Sequence, residues 1–243
     1  MATPDDPARP DDPGLYEGLL TTRAIRRYLP DAVPLEDLSK ILFAASRAPS
    51  GSNRQGFRFI VLRREDERAT GARRLLGDAA RGLWATKRVA DSYDEGSGVD
   101  RSSPKARLAG VMDRYVERFE DAPVIVVVAM VRYRPAPEET IGASVYPAAQ
   151  NLLLAARSLG YGGVMTVWHA LCEPALRAEL DIPDDVFLAA TITLGSPAGS
   201  HGPVRRRPLG ELVHDGHWGS PAEWISEPPG TRHTSAGPPR STP

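Results

Sequence analysis

Ala122-Pro123-Val124-Ile125-Val126-Val127-Val128-Ala129-Met130-Val131 is an almost unbroken apolar run dominated by β-branched residues. Such side chains are stiff at χ1 and favour an extended chain. A run with no polar alternation predicts a strand covered on both faces. Three further stretches read as strands: Phe57–Leu62 (FRFIVL), Gly163–Val167 and Phe187–Leu194 (FLAATITL). Helical spacing separates them. Leu35, Leu38, Ile41, Leu42 and Ala45 share a face over Leu35–Arg47, with Pro34 at its start. Glu65–Leu76 is a weaker helical pattern, and Arg107–Phe119 and Glu173–Leu180 are clearer ones. Ile141–Leu159 is a long helix lined by Val145, Ala148, Ala149, Leu152 and Ala156, and Gly160 stops it. Asp91–Ser103 is polar and glycine-bearing and reads as a mobile loop. No repeats occur. The fold class is α+β, a central sheet wrapped by helices.

The chain has 243 residues, of which 41% are apolar, enough for one large domain with a real core. Residues 1–13 are rich in Pro and Asp and are expected to be disordered. The tail over residues 220–243 is rich in Pro, Ser and Gly and is expected to be irregular, leaving 14–219 as the globular unit. A net charge of -1 excludes nucleic-acid binding through a broad basic field. The lone Cys172 excludes a disulfide framework, fits a reducing cytoplasm, and reads as a small core residue. The N-terminus lacks the pattern of a signal peptide, and no apolar run is long enough for a membrane helix. His214-Asp215-Gly216-His217 has no spaced partner and is a poor metal site.

Two local patterns carry chemistry. Thr21–Tyr28 places Arg23, Arg26 and Arg27 within five residues, and guanidinium forks match phosphate oxygens. A second basic cluster, Arg205-Arg206-Arg207, lies near the other end. Between them, Pro49–Gln55 is a turn carrying two amides, Asn53 and Gln55. Amides offer both a donor and an acceptor, which suits the edge of a heterocycle. Two residues apart at the entrance to a strand, they are expected to point to one side. The combination points to a phosphorylated, ring-bearing cofactor.

These motifs, in order, resemble the FMN-dependent nitroreductase family. Thr22-Arg23-Ala24-Ile25-Arg26-Arg27-Tyr28 resembles its arginine-rich opening, and Ser52-Asn53-Arg54-Gln55-Gly56-Phe57 its S-x-N-x-Q-P-W turn. Gly142–Ala156 resembles its central helix, Leu194-Gly195-Ser196-Pro197 its strand end, and Arg205–Leu209 its closing basic motif. The chain departs at Thr22 (usually Arg), Ala24 (usually Ser) and Gly56-Phe57 (usually Pro-Trp). The resemblance implies a mixed or antiparallel sheet and a homodimer with the long helix at the interface and two FMN sites between subunits. It implies cofactor contacts from Arg23, Ala24, Arg26 or Arg27, from Ser50, Ser52, Asn53 and Gln55, from Met165, Thr166 and Val167, and from Arg205 or Arg206. Arg26 is the candidate for a fixed charge beside the reduced ring, and Thr166 for a donor near N5. NADH or NADPH is the implied hydride donor, by a ping-pong mechanism, to an electron-poor acceptor such as a nitroaromatic or quinone. The flavin carries the reactivity, so no catalytic protein nucleophile is expected. Dehydrogenation, reductive dehalogenation, flavin breakdown and non-catalytic flavin storage are the alternatives the resemblance admits.

Overall fold

The computed structural model describes residues 13–132 and 138–234, with backbone only at 138 and 139. The expected disordered N-terminal segment therefore lies outside the described residues except for Pro13, as does the tail beyond residue 234. Six α-helices and four strands are described: α1 Leu15–Thr21, α2 Leu35–Ala45, β1 Phe57–Arg63, α3 Thr70–Ala90, α4 Pro104–Glu117, β2 Val124–Val131, α5 Glu138–Ser158, β3 Gly162–Thr166, α6 Glu173–Glu179 and β4 Val186–Gly195. The chain divides into two compact units, one ending at His201 and one beginning at Gly202.

In the first unit the strands form one sheet in the order β1-β2-β4-β3. Every neighbouring pair is antiparallel. The opening apolar run is β2, and its alternation explains its composition. Val124, Val126, Val128 and Met130 face a core closed by α2 and α5, with Leu38, Ile41, Val145 and Leu152. Ile125, Val127 and Ala129 face a second core built on α3, α4 and α6, with Leu76, Met112, Phe119 and Leu176. Helices on both faces leave no polar side for an inner strand.

Two expectations need adjustment. The weak helix at Glu65–Leu76 starts later and runs to Ala90, because Ala72, Leu76, Ala80 and Trp84 continue a buried stripe at four-residue spacing. The Asp91–Ser103 segment is tied down. Arg88 chelates Asp94 (2.6 and 2.9 Å) and reaches Asp113 (2.5 Å), and the Trp84 indole donates to the same Asp113 carboxylate (2.7 Å). Tyr93 packs on Trp84 with ring centres 5.0 Å apart. Of the small residues of α5, Gly142, Ser144, Ala148, Ala149 and Ala156 are buried within the chain and Ala143 is exposed. Gly160 ends α5 at φ +83°, the left-handed geometry expected of that glycine.

Two buried polar groups escaped the sequence reading. Arg73 on α3 is buried and donates to the carbonyls of Leu62 (2.6 Å), Glu120 (3.1 Å) and Ala122. It thereby ties the end of β1 to the start of β2, and its burial pulls its pKa down to about 10. His169 is buried after β3, with Nε2 3.2 Å from the Leu188 carbonyl and Nδ1 3.2 Å from Thr191 Oγ1. Burial lowers its pKa below 6.5. The unfolded chain then binds the extra proton first, so stability should fall as pH drops from 6.5 towards the depressed folded value. His201, half-buried and shifted the same way, adds to the effect. Urea midpoints measured from neutral to mildly acid pH should show this slope, and His169→Gln should flatten it; an unchanged slope would remove His169 as its source.

Candidate active site

The arginine segment is fastened to the β3–β4 edge of the sheet. The Ile25 amide donates to the Gly163 carbonyl (3.0 Å) and its side chain is buried. A Cβ on Gly162 would come within 2.5 Å of Ile25 Cγ1, so this approach requires glycine. Further along, Leu29 donates to Ser196 (2.8 Å) and Ala198 donates to Arg27 (2.9 Å), which makes Tyr28 and Pro197 an antiparallel bridge. The Tyr28 hydroxyl donates to the Ile25 carbonyl (2.6 Å) and lies 2.8 Å from Thr193 Oγ1, which in turn lies 2.9 Å from the Tyr115 hydroxyl. Burial pushes both phenols up, so they stay neutral at physiological pH.

On this footing Arg23, Arg26 and Arg27 line a cavity of about 520 Å³ with Ala24, Gly199 and Ser200. Arg107 on α4 joins them, and among the described residues no carboxylate lines the cavity. Arg23, Ala24 and Arg27 are exposed. Arg26 is half-buried, and its Nε is out of solvent with no hydrogen-bond partner. The Thr22 hydroxyl, at the position where the family pattern has arginine, is likewise buried without a partner. Four guanidinium groups with no acid among the described lining residues suit a polyanion such as a phosphate. Arg107 was not foreseen. It lies 80 residues from Arg27, and only the packing of α4 brings it in.

The amide turn is built differently from its expectation. Gly51–Asn53 is a single turn of 3-10 helix, and Ser52, Asn53 and Gln55 all have φ near +50°. The two amides do not alternate along an entering strand, since β1 starts only at Phe57. They meet because the turn folds back: Gln55 Nε2 donates to Asn53 Oδ1 (3.2 Å). Ser50 Oγ accepts from the Gln55 amide (2.8 Å), and buried Ser144 on α5 accepts from the Gly51 amide (3.1 Å). Left-handed geometry at three non-glycine residues costs about 1 kcal/mol or more each, a strain that gathers at functional loops. Ser52, Asn53 and Gln55 are exposed. Ser50 and Gly51 border a cavity of about 410 Å³ whose walls include Met130, Val131, Ile141 and Ser144.

Met165 and Val167, at the end of β3, are exposed. The Thr166 hydroxyl donates to the carbonyl of Thr191, its partner in the β3–β4 pairing (3.3 Å). Trp168 packs on Tyr115 and Phe119, at 5.8 and 6.1 Å between ring centres, as part of the core. Arg205 and Arg206 lie in the second unit, both exposed, with Arg206 Nη1 donating to the Arg205 carbonyl (2.9 Å). Among the described residues no group of three or more His, Cys, Asp or Glu could hold a metal, and no helix is long and apolar enough to cross a membrane.

One chain does not bring the arginine segment and the amide turn together. The turn enters β1, where Phe57 pairs with Met130, and Met130 pairs with Phe187 of β4. The arginine segment joins β3 where Gly162 pairs with Gly195. The two lie at opposite edges of a four-stranded sheet, about 14 Å apart across it, and about 27 Å apart along it, given ~4.8 Å per strand and ~3.4 Å per residue.

Comparison with known proteins agrees with this architecture. A nitrobenzene nitroreductase of Ectopseudomonas oleovorans is 30% identical over 205 residues, covering 76% of this chain and 88% of that one. An iodotyrosine deiodinase of Thermotoga neapolitana is 30% identical over 204 residues, covering 82% and 95%. A candidate nitroreductase of Desulfovibrio desulfuricans, crystallised in complex with FMN, is 27% identical, covers 83% and 95%, and superposes with a TM-score of 0.60. The model of the Nitroreductase family matches residues 19–196, which take in the arginine segment, the amide turn and all four strands, and the chain belongs to that family.

Proposed function

We propose that this protein is an FMN-dependent oxidoreductase in which each flavin lies between two copies of the chain. The observation that carries the reading is the diagonal separation just described, in a family whose FMN-bound member has the same fold. A second copy related by a two-fold axis sets the amide turn of one subunit beside the arginine cavity of the other. Exposed apolar residues on α1 and α2, namely Leu15, Tyr16, Leu19, Leu35 and Phe43, offer surface for that contact.

FMN, when bound, supplies a ring that accepts and returns a hydride. The chain supplies the rest. Arg23 and Arg27 grip the phosphate by charge-assisted hydrogen bonds. Asn53 and Gln55, pre-set by their strained turn, address the polar edge of the ring. Arg26 places a fixed positive charge by the site, which favours the reduced, anionic form. The apolar wall of Met130, Val131 and Ile141 excludes water from the space that the two substrates use in turn. NADH or NADPH is the reductant, and an electron-poor compound, a nitroaromatic or quinone, is the acceptor.

Purified protein titrated with FMN should bind one flavin per chain. Anaerobic NADH or NADPH should bleach it, and a nitroaromatic should restore the colour. Failure to bind FMN at saturation would overturn the proposal. The deiodinase relative, covered over 95% of its length, favours reductive dehalogenation as the second reading. Iodide release from an iodophenol by the reduced protein would select it.

A further inference from the structure

A third cavity, of about 300 Å³, lies beside the arginine cavity, between the Arg26–Pro30 segment and the C-terminal half of α4. Five arginines line it: Arg26, Arg27, Arg64, Arg114 and Arg118. Arg107, Val111 and Arg114 recur at three- or four-residue spacing and so share one face of α4, and Arg118 follows at its C-cap. That face therefore runs from the arginine cavity into the third.

The bland reading is a set of solvated surface charges, and Arg114 and Arg118 also suit the negative end of a helix. That dipole amounts to about half a charge, far short of five guanidinium groups. The one carboxylate in the lining, Asp121, is already engaged by Arg118 at 3.4 Å. Arg64 turns towards backbone carbonyls, at Pro30 and at Asp121 (3.4 Å). Among the described residues Arg26, Arg27, Arg64 and Arg114 form no ion pair. The Tyr28 and Tyr115 hydroxyls on the wall are committed to Thr193 and Ile25, so they supply no counter-charge. Arg26 Nε stays desolvated and unpartnered. Five arginines against one carboxylate leave an excess of four positive charges along the lining, which suits a multivalent anion, and forked donors carried by three separate elements fit a tetrahedral one. A lone carboxylate would answer at most one of them.

We propose that this cavity binds a diphosphate group, separately from the phosphate of the flavin. Its source is either free diphosphate or the diphosphate of a nucleotide. The cavity shares Arg26 and Arg27 with the flavin reading, whereas Arg64, Arg114 and Arg118 have no part in that site.

The test is calorimetric titration at low ionic strength with pyrophosphate and, separately, with ADP, on protein saturated with FMN so that the flavin phosphate site is filled. At least one probe should bind, with affinity that falls as salt is added. Binding of pyrophosphate alone identifies free diphosphate, and equal or tighter binding of ADP identifies a nucleotide. The double variant Arg114→Gln, Arg118→Gln should lose about tenfold or more in affinity while keeping wild-type flavin content and thermal midpoint. No binding of either probe, or equal binding by the double variant, overturns the proposal. If FMN itself does not bind, the same comparison on unloaded protein still decides, since neither substituted residue belongs to the flavin site.

Discussion

Arg23→Ala is expected to weaken FMN binding by about tenfold to a hundredfold, from the ~1.5–3 kcal/mol of a hydrogen bond to a charged group. Arg23 is exposed on a cavity with no acid among its described lining residues, so its removal leaves no buried charge and does not disturb the fold. The loss should appear as faster flavin release and a higher dissociation constant by fluorescence, with an unchanged urea midpoint. Arg23→Lys should recover part of it, because the charge returns without the fork. Asn53→Ala, at the opposite corner of the sheet, should also weaken binding, though by less, since a neutral amide contributes about 0.5–1.5 kcal/mol. Full flavin retention in both variants would remove both residues from the site.

Arg73→Leu is expected to lower folding stability by about 3 kcal/mol. The guanidinium answers the carbonyls of Leu62, Glu120 and Ala122 in a place shut off from water. Leucine leaves them unpaired and buried, at about 1–3 kcal/mol for each unsatisfied group, offset in part by relief from burying a charge. Arg73→Lys keeps the charge but lacks the planar fork that spans the three acceptors, so it should fall between. Urea unfolding followed by circular dichroism measures the change; a loss under about 1 kcal/mol would mean that water or a backbone shift replaces the guanidinium.

The strands were legible because their composition answers to burial. A run such as Val124–Val131 has one stable arrangement, and its ends fell within two residues of those read from sequence. Helix α3 was read short because its mean hydropathy is low and its buried stripe consists partly of alanine. In the site, residues that act through their own chemistry were legible, as the arginines and amides were. Residues that act through packing were not. Arg107 enters the first cavity only through the placement of α4, and Thr193 gains its position between Tyr28 and Tyr115 only once β4 lies beside the arginine segment. The geometry of the amide turn was also hidden. Residue types alone suggested strand alternation, whereas left-handed torsions at Ser52, Asn53 and Gln55 fold it back on itself.

Subunit mixing addresses the shared site most directly. Arg23→Ala dimers and Asn53→Ala dimers, each depleted of flavin, are allowed to exchange subunits in the presence of limiting FMN. A mixed dimer holds one doubly altered site and one intact site if each site draws its arginines from one subunit and its amide turn from the other. Flavin binding of wild-type affinity should then reappear in the mixture at about one site in four. If exchange is complete and no tight site returns, both halves of the site belong to a single chain, and the two-subunit account is wrong.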